Sequence, residues 1–427
     1  MPSFRRLLSG GALVLAACVG GEARTTATSP DSSSDPHAEL LAYARCMREN
    51  GIPNFPDPVG DGISLRGTGI DRNTPEFQAA AKACGHLLRP PTSAARNESA
   101  WQKVVPGGDC ECADGSEFAF WERKADPTKI VFYLDGGGVC FDAESAAKSN
   151  TGTTGERAGP DYDANIEGEN PAREGGMFDF TRADNPFREH SFIYVPLCTA
   201  DAHLGDVARE YSPELTVEHR GFVNGTAALD YLAENYPDAS RIVVLGKTAG
   251  SVAAPLYGGL VADRLPEARV AVFGAQSGAF PDDPDLNARI LGGLWGAFDN
   301  MPGWKVNEGL TARDWGARRF WIQAGLHDPK IVMARFDYAF DPHAVEALKY
   351  LSIEGVDPSN PLAVIDSNEA AIEAAGVVLH SYTAPGDGHG ILEYEAFYTL
   401  EVHGVRLVEW IEALVAGEPL DDVHPDP

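Results

Sequence analysis

The stretch that most constrains the fold is a short apolar run that ends in a glycine-flanked turn. Residues 241–245 read Arg-Ile-Val-Val-Leu, a β-branched segment that is typical of a buried strand. The sequence Gly-Lys-Thr-Ala-Gly follows at positions 246–250, and the chain then becomes compatible with a helix. The two glycines predict a tight turn that is pressed against neighbouring strands and exposes the side chain of Thr248.

This strand–turn–helix outline has the form of a nucleophile elbow, the Gly-x-Ser-x-Gly turn of α/β-hydrolases, with Thr248 in the serine position. Gly-Lys-Thr is also the end of a phosphate-binding Walker A loop. That loop needs its first glycine at position 241, where Arg241 stands, so its backbone could not wrap a phosphate. The elbow is therefore the better interpretation.

Strand-like and helical runs alternate from residue 101 onward. Continuous apolar strands separated by helices are typical of a parallel sheet that is covered on both faces. We therefore predict an α/β-hydrolase-like, mostly parallel sheet with helices on both faces, in a domain over residues 101–420. The predicted strands are 129–134, 191–195, 241–245, 269–273, 318–323 and 377–382. The predicted helices are 225–234, 252–265 and 405–415.

The first 18 residues predict an export signal. Arg5 and Arg6 precede a short apolar run that ends in Leu-Ala-Ala and then Cys18. Small residues before a cysteine resemble a bacterial lipobox, so we expect a lipid on Cys18 and a flexible tether over residues 19–36. The protein would then be extracellular and would contact the membrane only through this anchor. An ordinary signal peptide and full secretion are the alternative.

A small helical domain is predicted over residues 37–90. Helical periodicity over residues 38–50 and 75–88 is interrupted by a loop rich in proline and glycine. We expect a disulfide between Cys46 and Cys84 to join the two helices. The remaining predicted segments are a linker over residues 91–100 and a tail over residues 421–427.

An even number of cysteines remains once Cys18 is set aside, and in an exported protein this implies disulfides. Four of them lie in the larger domain, and the sequence does not choose among their three connectivities. Cys110 and Cys112 are too close in sequence to bridge readily to each other. The spacings fit no usual zinc site, and we expect neither a metal nor a cofactor. The predicted disulfide cysteines are Cys46, Cys84, Cys110, Cys112, Cys140 and Cys198.

The 427-residue chain has 34 basic and 63 acidic residues, which give it a formal net charge of −29. Such a surface repels phosphate backbones, so nucleic acid is excluded as a partner. We expect a monomer.

Acyl transfer needs a nucleophile, a base, an acid that orients the base, and donors for the oxyanion. In α/β-hydrolases the triad follows the chain order nucleophile, acid, histidine. The candidates here are Thr248, then Asp328 at the end of the predicted strand 318–323, then His389 in a glycine-rich loop after the last predicted strand. Asp387 is the alternative acid.

Candidate oxyanion donors follow the strand that ends at Leu134. A Gly-Gly-Gly run there includes Gly137 and Gly138 and exposes successive backbone N–H groups. Esterases take one donor from such a loop and a second from the residue after the nucleophile, which is Ala249 in this chain.

Several motifs occur in a fixed order along the chain. They are Tyr-Leu-Asp-Gly-Gly-Gly-Val-Cys at residues 133–140, Val-Pro-Leu-Cys-Thr-Ala-Asp at 195–201, Gly-Lys-Thr-Ala-Gly-Ser at 246–251, and the loop around His389. This order resembles the pectin acetylesterase/Notum family of carboxylesterases. The resemblance covers residues 107 to about 417.

The resemblance implies a secreted carboxylic-ester hydrolase that acts on a small-molecule or polysaccharide ester, such as an acetylated polysaccharide. Carried over position by position, it implies Thr248 as nucleophile, Asp328 as acid and His389 as base, with oxyanion donors at Gly137, Gly138 and Ala249.

The family has serine where Thr248 stands. A β-branched residue is costly in a strained elbow, and its methyl group crowds the attacking oxygen. Three hypotheses follow: an esterase that uses Thr248, a ligand-binding lipoprotein that has lost catalysis, or a site that uses another hydroxyl, Ser251 or Ser277.

Overall fold

The computed structural model describes residues 36–57, 74–84, 100–150, 162–167 and 169–425. The predicted lipobox with Cys18, nearly all of the tether and nearly all of the linker lie outside these residues. Over the described residues, no helix has the length and apolar character that a membrane span requires.

Two helices near the N-terminus, α1 (Pro36–Glu49) and α2 (Pro75–Cys84), are joined by a disulfide between Cys46 and Cys84. The ring of Phe55, in the segment after α1, lies 5.7 Å from an aromatic ring of α1 and 6.3 Å from one of α2. These contacts give the helix pair a small core of its own. The predicted disulfide and, over the described residues, both predicted helices are confirmed.

The central sheet of the larger domain has eight strands. In chain order they are β1 (Trp101–Val104), β2 (Phe120–Arg123), β3 (Asp126–Leu134), β4 (His190–Val195), β5 (Arg241–Lys247), β6 (Arg269–Ala275), β7 (Val332–Tyr338) and β8 (Leu379–Ala384). Their spatial order is β1-β2-β4-β3-β5-β6-β7-β8. The strand β2 is antiparallel to both of its neighbours. Every neighbouring pair from β4 to β8 in the spatial order, which includes β3, is parallel. The predicted α/β-hydrolase-like sheet is confirmed.

The longer helices of this domain are α3 (Gly221–Asn235), α4 (Ala249–Arg264), α5 (Ala317–His327), α6 (Pro342–Leu351), α7 (Pro361–Ala374) and α8 (Leu407–Ala416). Short helical segments are Ala143–Ala146, Pro171–Arg173, Gly176–Phe178, Pro284–Asn287, Ala288–Leu294, Ala297–Asn300, Lys305–Asn307, Ala312–Asp314 and Ala396–Thr399. Short paired strands are Ser149–Asn150 with Tyr162–Asp163, Val207–Ser212 with Leu215–His219, and Glu401–Val402 with Val405–Arg406.

Both faces of the sheet are covered by helices. Successive side chains of β3 point to opposite faces, as the pleat of a strand requires. Ile130 and Phe132 lie in a core that includes residues of α3, α4 and α5, and Val131 and Tyr133 lie in a second core that includes residues of α8. Burial on both faces explains why this strand reads as an uninterrupted apolar run.

The predicted strand 318–323 is wrong, because these residues lie inside the helix α5. The strand that the sequence pattern missed is β7. Arg335 and Asp337 interrupt its apolar pattern, yet both are buried. The Nε atom of Arg335 lies 2.7 Å from Oδ2 of Asp337, so the two charges compensate each other inside the fold.

The cysteines of this domain form one disulfide, between Cys112 and Cys198. The prediction that Cys110 and Cys140 are also disulfide-bonded is wrong, since both are buried free thiols. Each sulfur faces a different polar partner. The Sγ of Cys110 lies 4.0 Å from a carbonyl oxygen of α3, and the Sγ of Cys140 lies 3.3 Å from the hydroxyl of Tyr211.

Candidate active site

Thr248 stands at the sharp turn between β5 and α4. Its backbone angles are φ 47° and ψ −111°, a conformation that a β-branched residue rarely adopts. The turn is held by a hydrogen bond of 2.7 Å from the N–H of Thr248 to the carbonyl oxygen of Ala275. A Cβ atom at Gly250 would lie 2.2 Å from the carbonyl oxygen of Leu134 on β3, so the glycine is needed for close approach. This is the elbow geometry that the sequence predicts.

The glycine run after β3 passes directly beside the elbow. A Cβ atom on Gly136 would lie 2.0 Å from Oγ1 of Thr248, so only glycine leaves room for the hydroxyl there. Gly138 and Ala249 line the same cavity as Thr248. Gly137 is buried, and its close neighbour is the carbonyl oxygen of Leu197.

His389 lies in the loop after β8, and its Nδ1 atom lies 2.7 Å from Oδ2 of Asp341. Asp341 is buried and follows β7 at the carboxyl edge of the sheet. Its other oxygen accepts a hydrogen bond of 2.8 Å from the N–H of His343, which caps the start of α6. One carboxylate thus orients the imidazole and is itself held by a helix N-terminus.

The structure does not bring Asp328 to His389. Asp328 ends α5, and one of its oxygens accepts a hydrogen bond of 3.0 Å from the N–H of Lys330. The chain then enters β7, so Asp328 lies before the amino end of that strand, whereas the loops with Thr248 and His389 follow the carboxyl ends of β5 and β8. The carboxylate that contacts His389 is that of Asp341 rather than that of Asp328. The alternative acid, Asp387, is exposed.

Two further residues hold the histidine loop, and the sequence pattern predicts neither. The side-chain oxygen of Gln276, which follows β6, accepts a hydrogen bond of 2.7 Å from the N–H of Gly390. The imidazole of His343 stacks on that of His389, with ring centroids 3.9 Å apart. Gln276 has a positive φ of 69°, a conformation that no local sequence signal predicts.

Ser251 and Ser277 are the two other hydroxyl groups considered as nucleophiles. Ser251 lies buried in α4, and its Oγ lies 2.7 Å from Oγ of Ser277. Ser277 lines the cavity, so the pair lies beside the elbow.

A cavity of about 200 Å³ adjoins the elbow, and both Thr248 and His389 line it. Its polar wall includes Asp341 and also Asp337, whose pKa burial raises to about 6. Most of the remaining wall is apolar. The larger apolar side chains are Val139, Phe141, Val252, Phe280, Leu286, Ile290, Leu291, Trp295, Leu348, Leu351 and Ile365.

In the part of the chain that the structure describes, no group of three or more histidine, cysteine or acidic side chains is arranged to hold a metal ion.

Three comparisons with known proteins bear on this geometry. Residues 103–292 match a family model described as Pectinacetylesterase. A search of curated proteins finds no match. Among solved structures, the chain is similar to the Wnt deacylase Notum from Drosophila, with a TM-score of 0.54 and 15% sequence identity. The similarity covers 76% of this chain and 96% of that one, and it shows a shared fold.

The family match includes the glycine run and the elbow, and the fold neighbour covers 76% of the chain. Together they indicate a carboxylesterase-type hydrolase. Residues 103–292 of this chain belong to the pectinacetylesterase family, on a Notum-like α/β-hydrolase fold.

Proposed function

We propose that the protein hydrolyses carboxylic esters with Thr248 as nucleophile, His389 as general base and Asp341 as the acid that orients the base. The observation that carries this proposal is the hydrogen bond of 2.7 Å between Nδ1 of His389 and Oδ2 of Asp341. Both residues line a cavity that Thr248 also lines. In the neutral imidazole, an Nδ1–H group that donates to Asp341 makes Nε2 of His389 the nitrogen that can accept a proton.

In the proposed mechanism, Oγ1 of Thr248 attacks the ester carbonyl while Nε2 of His389 takes the hydroxyl proton. The charge on the imidazolium is stabilised by Asp341. His389 then donates the proton to the leaving alcohol, which leaves an acyl-threonine. Water activated by His389 hydrolyses that intermediate and regenerates the free hydroxyl.

The developing oxyanion needs backbone donors beside the nucleophile. We assign this role to the N–H groups of Gly137, Gly138 and Ala249. The close approach of Gly136 to Oγ1 of Thr248 supports the assignment, because it places the glycine run next to the reacting oxygen. Gly138 and Ala249 both line the cavity in which the carbonyl would lie.

The cavity fits an apolar acyl group that is longer than acetyl. It provides about 200 Å³, whereas a single water needs only about 10–15 Å³. Its wall is mostly aliphatic and aromatic, so each methylene that it buries contributes about 0.8 kcal/mol, or about fourfold in binding. The net charge of −29 also disfavours a polyanionic substrate such as a polyuronate.

The test compares nitrophenyl acetate, butyrate and octanoate. We expect kcat/KM to be at least about tenfold higher for octanoate than for acetate, and to be lost for all three in His389→Ala. Ala347→Phe, which fills the cavity from α6, should lower only the octanoate rate. The matched control is Ala370→Phe on the exposed face of α7. A preference for acetate that Ala347→Phe leaves unchanged would contradict the acyl pocket.

The second candidate is a ligand-binding lipoprotein without catalysis, and the observation that favours it is threonine at a strained elbow. Equal rates of ester hydrolysis in the wild type and in His389→Ala would support this binder.

We also propose that residues 37–90 form a separate small domain and that a lipid on Cys18 holds the protein outside the cell. Two disulfides are consistent with an extracellular protein. Cys18→Ala should release the protein from the membrane fraction into the medium. Unchanged retention would contradict the lipid anchor.

A further inference from the structure

The residue before the proposed nucleophile is a lysine whose side chain turns inward between two carboxylates. Nζ of Lys247 lies 2.8 Å from Oδ1 of Asp135 and 2.5 Å from Oε1 of Glu393. Only 21% of the lysine side chain is exposed, and the two carboxylates are more buried still.

These two carboxylates belong to the other two loops of the site. Asp135 precedes the glycine run, and its Oδ1 accepts a hydrogen bond of 2.8 Å from the N–H of Gly136. Glu393 follows His389 by four residues. One ammonium group therefore connects the elbow, the glycine run and the histidine loop.

More negative charge surrounds this lysine than it can neutralise. Besides Asp135 and Glu393, the cluster contains Glu169 and Glu174, so one cation faces four carboxyl groups. Burial and then the repulsion of Asp135 raise the pKa of Glu169 to about 8. Burial and then Glu393 raise the pKa of Glu174 to about 7.

Phenols and one more carboxylate also face the cluster. The hydroxyl of Tyr133 donates to Glu393 at 3.2 Å, and that of Tyr194 donates to Asp135 and to Glu169. Asp163 adds repulsion to Glu169. Lys247 is a cation that acts on both Glu169 and Glu174.

Lys247 itself remains charged. Burial alone would lower its pKa, but Asp135 and Glu393 raise it well above its usual value. Removing the ammonium would leave buried carboxylates without a counter-ion, an arrangement that is strongly unfavourable at alkaline pH.

We propose that Lys247 is a positioning residue that fixes the relative positions of the glycine run, the elbow and the histidine loop by neutralising Asp135 and Glu393. This inference rests on the proposed esterase function, which defines what the three loops must align. It predicts that the loss of Lys247 is relieved by removing negative charge, either by protonation or by mutation.

The experiment compares Lys247→Met, Lys247→Arg, Glu393→Gln and the double variant Lys247→Met/Glu393→Gln, each at about pH 6 and about pH 8.5. The control is Lys129→Met, since Lys129 also contacts two carboxylates but lies at the opposite end of the sheet. Hydrolysis of nitrophenyl octanoate and the Tm are measured for each protein.

We expect Lys247→Met to lower kcat/KM by about 30-fold at the alkaline pH and by less than about fivefold at the acidic pH, relative to wild type at the same pH. The kcat/KM of the double variant should come within about threefold of that of Glu393→Gln alone. Lys247→Arg should lose less than about tenfold in kcat/KM. Lys129→Met should match wild type. The proposal is overturned if Lys247→Met loses the same factor at both pH values, or if Glu393→Gln does not rescue it.

The Tm gives a readout that does not depend on activity. Lys247→Met should lower Tm more at the alkaline pH than at the acidic pH, and the double variant should reverse this loss. If the wild type hydrolyses no ester, the esterase proposal fails, while these Tm differences still decide whether Lys247 neutralises the cluster. Equal Tm losses at both pH values would overturn the inference.

Discussion

Nδ1 of His389 lies 2.7 Å from Oδ2 of Asp341, although 48 residues separate the two in the chain. The pair forms because β7 and β8 are parallel neighbours, which brings the loops after them to the same edge of the sheet. The N-terminus of α6 fixes the carboxylate in turn. The histidine is thereby oriented towards the cavity that contains Thr248.

Replacing Asp341 should impair catalysis far more than replacing Asp328. Asp341→Asn removes the charge that stabilises the imidazolium and disturbs its tautomer, so we expect kcat to fall by about 10²- to 10⁴-fold. Asp328→Asn is the matched control and should stay within about twofold of wild type. Assays with nitrophenyl butyrate measure both. A larger loss in Asp328→Asn would contradict the placement of the acid.

Thr248→Ser should raise the rate of ester hydrolysis. Serine removes the methyl group and relieves strain on the order of 1–3 kcal/mol at φ 47°, which corresponds to about 5- to 150-fold. Thr248→Val keeps the shape without the hydroxyl and should be inactive. If the serine variant hydrolyses no ester while its fold is intact, Thr248 is not the nucleophile.

The elbow and the histidine loop could be predicted from sequence because their signals are local. Glycines beside Thr248 and beside His389 reflect close packing of backbone, and that requirement is visible in a few adjacent residues. The partner of His389 was missed because two Asp-Pro pairs, at Asp328 and Asp341, carry the same local signal. Which of them lies at the carboxyl edge depends on which flanking segment is the strand.

Hydrophobic periodicity could not show which of these flanking segments is the strand. The run around Trp321 is apolar enough to resemble a strand, yet it lies in α5, where residues 320–325 are all buried. In β7 a buried ion pair between Arg335 and Asp337 hides the strand pattern. In both segments the tertiary environment, rather than the local apolar pattern, determines the secondary structure. Gln276 and His343 were missed for a related reason, since their roles arise from contacts between distant loops.

The stability of the protein should fall as the pH rises through neutrality. The pKa of Glu169 is raised to about 8 and that of Glu174 to about 7, in each case chiefly by burial. Both carboxyl groups therefore stay protonated in the folded state at pH values where they are ionised in the unfolded state. The stabilisation that this difference gives the folded state is lost as the pH rises through about 7–8. Tm measured between about pH 6 and pH 9 should decrease.

Glu169→Gln should flatten this dependence, and Glu409→Gln, at an exposed ion pair with Arg406, should leave it unchanged. A Tm that is constant or rises over the same range would contradict the buried protonated carboxyl groups.

Two thiols of the larger domain should be protected until the protein unfolds. Burial raises the pKa of Cys110 and raises that of Cys140 to about 12, so little thiolate is present near neutral pH. Iodoacetamide should leave the native protein unmodified at both positions. In denaturant without reductant it should alkylate Cys110 and Cys140 but not Cys112 or Cys198, as peptide masses would show. A bridged peptide that contains Cys110 or Cys140 would contradict the assignment.

Covalent labelling tests whether Thr248 is a nucleophile that His389 activates. A fluorophosphonate with an apolar alkyl chain should react with Oγ1 of Thr248, with loss of fluoride, because its phosphorus takes the place of the ester carbonyl. We expect one adduct per chain, localised to Thr248 by peptide mass, and no adduct in His389→Ala. An adduct on Ser277 or Ser251, or labelling that His389→Ala does not reduce, would contradict it.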